Sequence, residues 1–234
     1  MASWIFRAFK SFLALAKSGR SVTEFSKAEQ EVLQRILMAR RDVRGNRFSR
    51  DPICEEDLQT ILRAALWAPS VGYSQPWEFV IVTEAATRKQ IAASFSEENA
   101  RALPLFQGEK QQKYQQLKLE GILETPVNVA VFYKQSGKPV LGQTSMPEPG
   151  EYSVVCAVQN MWLMARALNI GMGWVSILDP EKVKYILNAP PAYKLVAYLC
   201  LGHVREFLEQ PELELLQWER RKEMGEVVHR ERFE

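Results

Sequence analysis

The sequence predicts an α+β fold in which helices flank a mixed sheet. Four short runs rich in β-branched and aromatic residues predict the strands; they cover residues 78–82, 127–133, 174–178 and 195–201. Helical patterns separate these runs without the strict strand–helix alternation of a parallel sheet. With 234 residues, the chain is long enough for one substantial domain.

Apolar residues at helical spacing predict the helices between and before these strands. They are expected at residues 27–39, 55–67, 87–95, 151–168 and 180–187. The helix at 151–168 is apolar on most faces and should lie in the core. Segment 97–121 is polar and is interrupted by Pro104 and Gly108, so it predicts a mobile helical lid.

The two ends of the chain read as extensions. Within residues 1–25, apolar side chains between Trp4 and Ala16 recur every three to four positions and predict an amphipathic helix. We expect this helix to pack on the body or on a partner subunit; contact with a membrane surface and an extension without a role are the alternatives. It is too short to span a bilayer and lacks a secretory cleavage site. The main domain, residues 26–234, ends in a charged arm at 205–234, and such arms predict a homodimer.

Composition narrows the range of functions. The net charge of +2 is too small to indicate a nucleic-acid partner. Three cysteines without close pairing fit a reducing cytoplasm. With two histidines, a histidine-based triad or a multi-histidine metal centre is not expected, and we predict no metal site.

The run Arg40-Arg41-Asp42-Val43-Arg44 places three guanidinium groups within five residues. Arginine is well suited to phosphate because its planar fork donates paired hydrogen bonds and keeps its charge. Arg40 and Arg44 share one face if the preceding helix continues through them. Asp42 would repel a phosphate, so it either has a chemical role of its own or pairs with a nearby arginine.

Two further segments carry polar groups on glycine-containing stretches. Ser70 follows Pro69 and can offer a hydroxyl and a backbone N–H to an anion, or it can simply stop a helix. Gln75 leads into the strand at 78–82. Gly171 and Gly173 either terminate the core helix or let backbone approach a flat ligand closely.

Residues 40–44, 68–82 and 171–176 stand in the order and spacing of the nitroreductase-like flavoprotein family, which this chain resembles over most of residues 27–205. The resemblance implies a nitroreductase-like fold, a homodimer and an FMN site. It assigns FMN contacts to nine residues: Arg40, Arg41, Asp42, Val43, Arg44, Ser70, Gln75, Gly173 and Ser176.

Departures from the usual family pattern point to one branch. Asp42 stands where serine is typical, and Gly72 stands where asparagine is usual. Together with segments 146–148, 152–157 and 173–180, they resemble the branch that uses dioxygen to fragment reduced FMN to 5,6-dimethylbenzimidazole, the lower ligand of cobalamin. There FMN is a substrate, dioxygen is the co-substrate, and a separate flavin reductase supplies the reduced flavin.

The resemblance suggests catalytic roles for Asp42 and Ser176. We expect Asp42 to orient or deprotonate the ribityl chain, and Ser176 to donate a hydrogen bond near the reactive carbon of the ring. Two alternatives remain open from the sequence. One is an NAD(P)H-dependent nitroreductase or quinone reductase that retains FMN, and the other is a flavin-binding protein without catalysis.

Overall fold

The computed structural model describes residues 24–233, so the amphipathic helix predicted between Trp4 and Ala16 lies outside the described residues. The chain divides into two units after Ala39. In the first, helix α1 covers Lys27–Ala39. A capping box begins it, because the Ser26 amide donates to the Glu29 carboxylate at 2.7 Å and the Glu29 amide faces the Ser26 hydroxyl at 3.4 Å.

The second unit contains the sheet and the helices that flank it. In chain order its elements are α2 (Glu55–Leu66), β1 (Trp77–Val82), α3 (Ala85–Ala102), α4 (Gly108–Gln116), β2 (Val127–Lys134), α5 (Pro149–Ala167), β3 (Ile170–Val175), α6 (Pro180–Ile186), β4 (Tyr193–His203) and α7 (Glu212–Leu215). In the part of the chain that is described, no helix combines the length and apolar character needed to cross a bilayer.

The four strands form one sheet in the order β1-β2-β4-β3, and each neighbouring pair runs antiparallel. This arrangement confirms the predicted helix-flanked sheet and corrects its predicted mixed character. Among the described residues, parallel pairing is confined to one isolated bridge between Asp42 and Met172. The strand runs alone could not reveal this, because apolar patterns do not encode strand direction.

Two apolar clusters cover the two faces of the sheet. Along β2, Val129 and Val131 belong to one cluster and Ala130 and Phe132 to the other, as the alternation of side chains along a strand requires. Helices α2 and α5 supply much of the first cluster, whereas α3 and α6 contribute to the second. The predicted core helix is confirmed, since α5 buries Val154, Val158 and Met161 completely.

Two boundaries differ from the sequence predictions. Helix α5 ends before Asn169, which takes a left-handed backbone conformation at φ 58°, so β3 begins at Ile170 and contains both Gly171 and Gly173. Helix α3 continues to Ala102, although the predicted helix ended at residue 95. A short 3-10 turn containing Pro104 follows it. The glycines therefore lie inside a strand and do not terminate a helix.

Candidate active site

The arginine-rich run is extended and lies along the outer edge of β3. Helix α1 ends at Ala39, Asp42 bridges Met172, and the Val43 amide donates to the Met172 carbonyl at 3.1 Å. The predicted helix end at Ala39 is therefore confirmed, and the helix does not continue through the run. Alternate residues of an extended chain share a face, so Arg40 and Arg44 still project to the same side, now together with Asp42.

Gly171 and Gly173 allow this close approach to β3. A β-carbon on Gly173 would overlap the carbonyl oxygen of Val43, and one on Gly171 would lie 2.8 Å from Val204 and 3.0 Å from Phe48. On the opposite face of the run, the buried side chain of Val43 packs in the second apolar cluster. The structure thus gives the glycines a packing role, and the FMN contacts predicted for Val43 and Gly173 stay predictions.

Arg40 rests on an aromatic platform. Its guanidinium carbon lies 4.7 Å from the centroid of the Trp162 ring, and the Trp162 indole N–H donates to the carbonyl of Arg41 at 3.1 Å. Trp162 and Trp174 both pack half-buried against the first apolar cluster. The contact with Arg40 was missed, because no local spacing links residues about 120 positions apart.

Arg44 ties the run to the segment that follows α4. Its guanidinium donates to the Leu119 carbonyl at 3.0 Å and forms an ion pair with Asp42, and the next residue, Gly45, donates its amide to the Glu120 carbonyl at 2.7 Å. The Arg44 side chain is 16% exposed. A single arginine therefore contacts both the edge run and the base of the predicted lid.

Asp42 presents an oriented carboxylate on the same face. One oxygen accepts a hydrogen bond from the Trp174 amide at 3.1 Å, and the other pairs with Arg44. Burial raises the pKa of Asp42, while Arg44 and the Trp174 amide act in the opposite direction. The side chain is 37% exposed, so the pairing with arginine that the sequence left open still leaves the carboxylate within reach of a ligand.

Arg41 points to the other side of the run and contacts the C-terminal arm. Its Nε donates to the Leu208 carbonyl at 3.0 Å, and its terminal nitrogen contacts the Glu209 carbonyl. Further along the arm, Arg220 pairs with Glu226 on an exposed surface. In the described structure Arg41 therefore anchors the arm, and its predicted contact with FMN stays a prediction.

The loop before β1 forms a second polar region. The Ser70 hydroxyl accepts a hydrogen bond from the Gln75 amide at 3.1 Å, and Gly72 has φ +54°, a conformation that favours glycine. A β-carbon on Gly72 would lie 2.6 Å from the Leu141 carbonyl, so this loop packs closely on the 135–143 loop. The two loops line a cavity of about 620 Å³ that includes Gln75.

The structure does not bring all predicted site residues together within one chain. Strand β1, which follows Ser70 and Gln75, and strand β3, which carries the arginine run on its flank, form the two edges of the four-stranded sheet. Neighbouring strands lie about 4.8 Å apart, which separates the two edges by roughly 14 Å. Ser176 is exposed and directly follows β3.

The segment predicted as a lid is helical at α4 and is fastened by aromatic contacts. Phe106 stacks on Tyr114 with ring centroids 4.7 Å apart, and Trp218 meets Phe106 edge-on at 5.3 Å. The Tyr114 hydroxyl donates to Asn99 at 2.7 Å. The C-terminal arm therefore packs on α4 through Trp218, a residue that the sequence did not single out.

The helix-flanked sheet and the arginine-bearing segment at its edge together define an α+β protein of the flavoprotein type. The sequence profile of the nitroreductase family matches residues 37–203, and the chain belongs to this family. The 5,6-dimethylbenzimidazole synthase of Rhodospirillum rubrum is 45% identical over 200 residues, which are 85% of this chain and 94% of that protein. The Rhodobacter capsulatus protein of the same name is 39% identical over 191 residues, 81% and 91% of the two chains.

Solved structures share the fold. An iodotyrosine deiodinase bound to FMN and 3-iodo-L-tyrosine superimposes with a TM-score of 0.68 at 22% identity, covering 86% of this chain and 99% of that one. A BluB-like flavoprotein from Clostridium difficile 630 gives a TM-score of 0.64 at 22% identity, with the same coverage. The resemblance to the nitroreductase-like family and to its 5,6-dimethylbenzimidazole synthase branch is therefore confirmed.

Proposed function

We propose that this chain catalyses the dioxygen-dependent fragmentation of reduced FMN to 5,6-dimethylbenzimidazole, the lower ligand of cobalamin. Identity of 39 to 45% with synthases of that name, over most of both chains, supports the proposal. The structural observation that supports it most directly is Asp42, whose carboxylate accepts a hydrogen bond from the Trp174 amide and pairs with Arg44 on an edge segment. A carboxylate there has no use in holding an anion, but it suits proton chemistry beside one.

The residues of this face fit the phosphate of FMN. Arg40 and Arg44 project from the same side of an extended run, and paired guanidinium groups bind phosphate through charge-assisted hydrogen bonds. The Arg40 guanidinium lies over the Trp162 ring, and a guanidinium on an aromatic ring keeps N–H groups for a ligand. When bound, reduced FMN supplies the electrons that activate dioxygen and the atoms of the product.

Asp42 and Ser176 are the residues to which we assign the chemistry. The Trp174 amide and Arg44 fix the Asp42 carboxylate, so it can hold or accept a proton at a ribityl hydroxyl. Its raised pKa makes it a better proton acceptor than an ordinary aspartate. Ser176, exposed directly after β3, would donate a hydrogen bond from its hydroxyl to the flavin ring.

We further propose that the active unit is a homodimer with a site built from both subunits. The roughly 14 Å between the edge strands β1 and β3, which carry the Ser70–Gln75 loop and the arginine run, supports this, since one flavin would then take each half from a different chain. Exposed apolar residues at the end of α2 and along α5 offer a surface for the second copy; they are Leu66, Trp67, Tyr152 and Val155.

A separate flavin reductase delivers the reduced FMN in this proposal, because the proposed reaction consumes the flavin together with its electrons. The three free cysteines of the chain support a location in the reducing cytoplasm. Contact of the N-terminal extension with a membrane is the less favoured role for residues 1–25.

The deciding experiment is an aerobic incubation of the purified protein with enzymatically reduced FMN, followed by chromatography and mass analysis. We expect a species with the mass of 5,6-dimethylbenzimidazole and an equal loss of flavin. Full recovery of oxidised FMN would contradict the proposal. Steady NAD(P)H oxidation with an added acceptor and intact flavin would instead identify a nitroreductase or quinone reductase, which the wider family membership allows.

The role of Asp42 is tested in the same assay. Asp42→Asn should bind FMN at least as well as the wild type, because a negative charge near the phosphate is removed, while product formation falls by about 100-fold or more. Asp51→Asn makes the same chemical change at an exposed carboxylate and should retain full activity. Equal turnover in Asp42→Asn and the wild type would rule out the catalytic assignment.

A further inference from the structure

Trp162 contacts the arginine run at two points. Its ring lies beneath the Arg40 guanidinium with 4.7 Å between guanidinium carbon and ring centroid, and its indole N–H donates to the Arg41 carbonyl at 3.1 Å. The first contact holds a side chain and the second holds the backbone directly before Asp42. One residue of α5 therefore restrains the part of the run that precedes the carboxylate.

The platform itself is rigid. Trp162 lies on the long helix α5, packs half-buried against the core, and meets the Trp174 ring at a centroid distance of 6.4 Å. The backbone of Trp174 in turn donates to Asp42. The two tryptophans thus link α5, β3 and the run into one packed unit, and the Arg40 guanidinium lies on the Trp162 ring of that unit.

An arginine side chain loses considerable rotational freedom when it binds a ligand, and holding it in place beforehand reduces that cost. An indole ring attracts a guanidinium through its negative face and leaves the N–H edge available for hydrogen bonds. Trp162 can therefore raise the affinity for an anion without touching it.

We propose that Trp162 is a positioning residue that preorganises Arg40 for the phosphate of FMN. The inference rests on the proposed function in that it takes FMN as the ligand. It makes a selective prediction: Trp162 contributes to affinity through the phosphate and not through the ring. Riboflavin, which has the same ring and polyol chain but no phosphate, is therefore the matched ligand.

The test is a titration of oxidised FMN and of riboflavin, followed by quenching of flavin fluorescence. Trp162→Leu should weaken FMN binding by roughly 3- to 30-fold and riboflavin binding by less than about 2-fold. Trp162→Phe keeps a ring beneath Arg40 and loses the N–H, so its FMN affinity should fall between those of the wild type and Trp162→Leu. Met164→Ala, on the same helix and against the same core cluster, should preserve the ratio of the two affinities.

A double-mutant cycle tests the link to Arg40. In an Arg40→Ala background, Trp162→Leu should no longer change FMN affinity, because the side chain that it positions is absent. An equal loss for FMN and riboflavin in Trp162→Leu, or an undiminished loss in the Arg40→Ala background, would overturn the inference. Circular dichroism of each variant separates these outcomes from a folding defect, and Trp162→Phe is the conservative variant if Trp162→Leu does not fold.

This experiment separates the inference from the proposed function. If the wild type forms 5,6-dimethylbenzimidazole but Trp162→Leu keeps the FMN-to-riboflavin ratio, the inference fails and the function stands. If the ratio collapses in Trp162→Leu while the wild type yields no product, the positioning role is supported and the proposed reaction is wrong.

Discussion

The carbonyl oxygen of Val43 fills the space in front of Gly173 where a side chain would otherwise begin. The same hypothetical β-carbon would lie 3.6 Å from a carboxylate oxygen of Asp42. The position of the carboxylate on β3 therefore depends on the absence of a side chain at residue 173. A glycine that reads in sequence as a helix terminator or a flavin contact is, in the fold, what lets the arginine run lie against the sheet.

Gly173→Ala should displace the arginine run. The added methyl group meets backbone that cannot rotate away, so we expect a loss of about 2 to 3 kcal/mol in the free energy of unfolding together with weaker FMN binding. Urea denaturation and FMN titration measure the two effects. Gly137→Ala is the matched control, because its β-carbon meets no described atom within 4 Å. Equal stability of both variants would show that the run is not held against β3.

The sequence predicted the parts of the fold that depend on local pattern. The four strands were found as short runs of β-branched and aromatic residues, and the long core helix as a segment that is apolar on most faces. Strand direction was not predicted, because it depends on which distant strand pairs with each strand and not on the residues of the strand itself. The helix predicted at residues 27–39 is confirmed, whereas the extended form of the segment after Ala39 was not predicted, because it depends on a bridge from Asp42 to Met172, 130 positions further along.

The site shows the same division. The arginine cluster and Asp42 were identified from their chemistry within five neighbouring residues, and the structure pairs Asp42 with Arg44. Trp162 and Leu119, which contact these side chains, are distant in sequence and carry no motif. Their roles follow from tertiary packing alone, as does the separation of Ser70 and Gln75 from the arginine run.

The raised pKa of Asp42 gives the stability of the protein a specific pH dependence. A carboxyl with a higher pKa in the folded state binds its proton more tightly there than in the unfolded chain. Stability from this group therefore falls as the pH rises from its ordinary pKa of 3.8 through the raised folded value. The free energy of unfolding of the wild type, relative to that of Asp42→Asn, should decrease as the pH rises above the ordinary pKa of 3.8.

Chemical denaturation at several pH values measures this difference. The same comparison in an Arg44→Met background should show a larger decrease, because Arg44 is the main charge opposing the shift. If the free energy of unfolding of the wild type instead rose with pH relative to that of Asp42→Asn, the assigned direction of the pKa shift would be wrong.

Arg44→Met should weaken FMN binding by about 10- to 100-fold, because one charge-assisted contact with the phosphate is lost. The effect on riboflavin should be much smaller. The same change releases the Leu119 carbonyl, so amides in residues 117–121 should exchange faster with solvent. Flavin titration and hydrogen exchange give both readouts. Arg101→Met, which breaks an exposed pair with Glu98, should change neither.

Trp218→Ala should loosen α4 from the C-terminal arm. The change removes the edge-on contact with Phe106 and the packing beside Tyr114, for an expected loss of about 1 to 2 kcal/mol. Amides of Gly108–Gln116 should then exchange faster, and oxidised FMN should return in place of product if α4 excludes water from the site. Tyr185→Ala removes an aromatic side chain that is 88% exposed and serves as the control. Unchanged exchange in α4 would show that the arm does not restrain it.

The composite site is tested by mixing two inactive variants. Asp42→Asn disables one half, and Ser70→Asp disables the other, because it adds a negative charge near the flavin while an aspartate can still accept the hydrogen bond from Gln75. After subunit exchange, half of the dimers are mixed, and each contains one site with both native residues if the halves come from different chains. Activity should therefore recover to about a quarter of the wild-type value.

If both residues served a site within one chain, mixed dimers would contain no intact site and activity would stay absent. Light scattering must accompany the assay, and the dimer should have twice the 26.9 kDa mass of one chain. Trp67→Glu places a charge in the proposed contact surface and should yield monomers. A monomeric wild type with full activity would contradict the composite site, since the arginine run and the Ser70–Gln75 loop lie on opposite edges of one sheet.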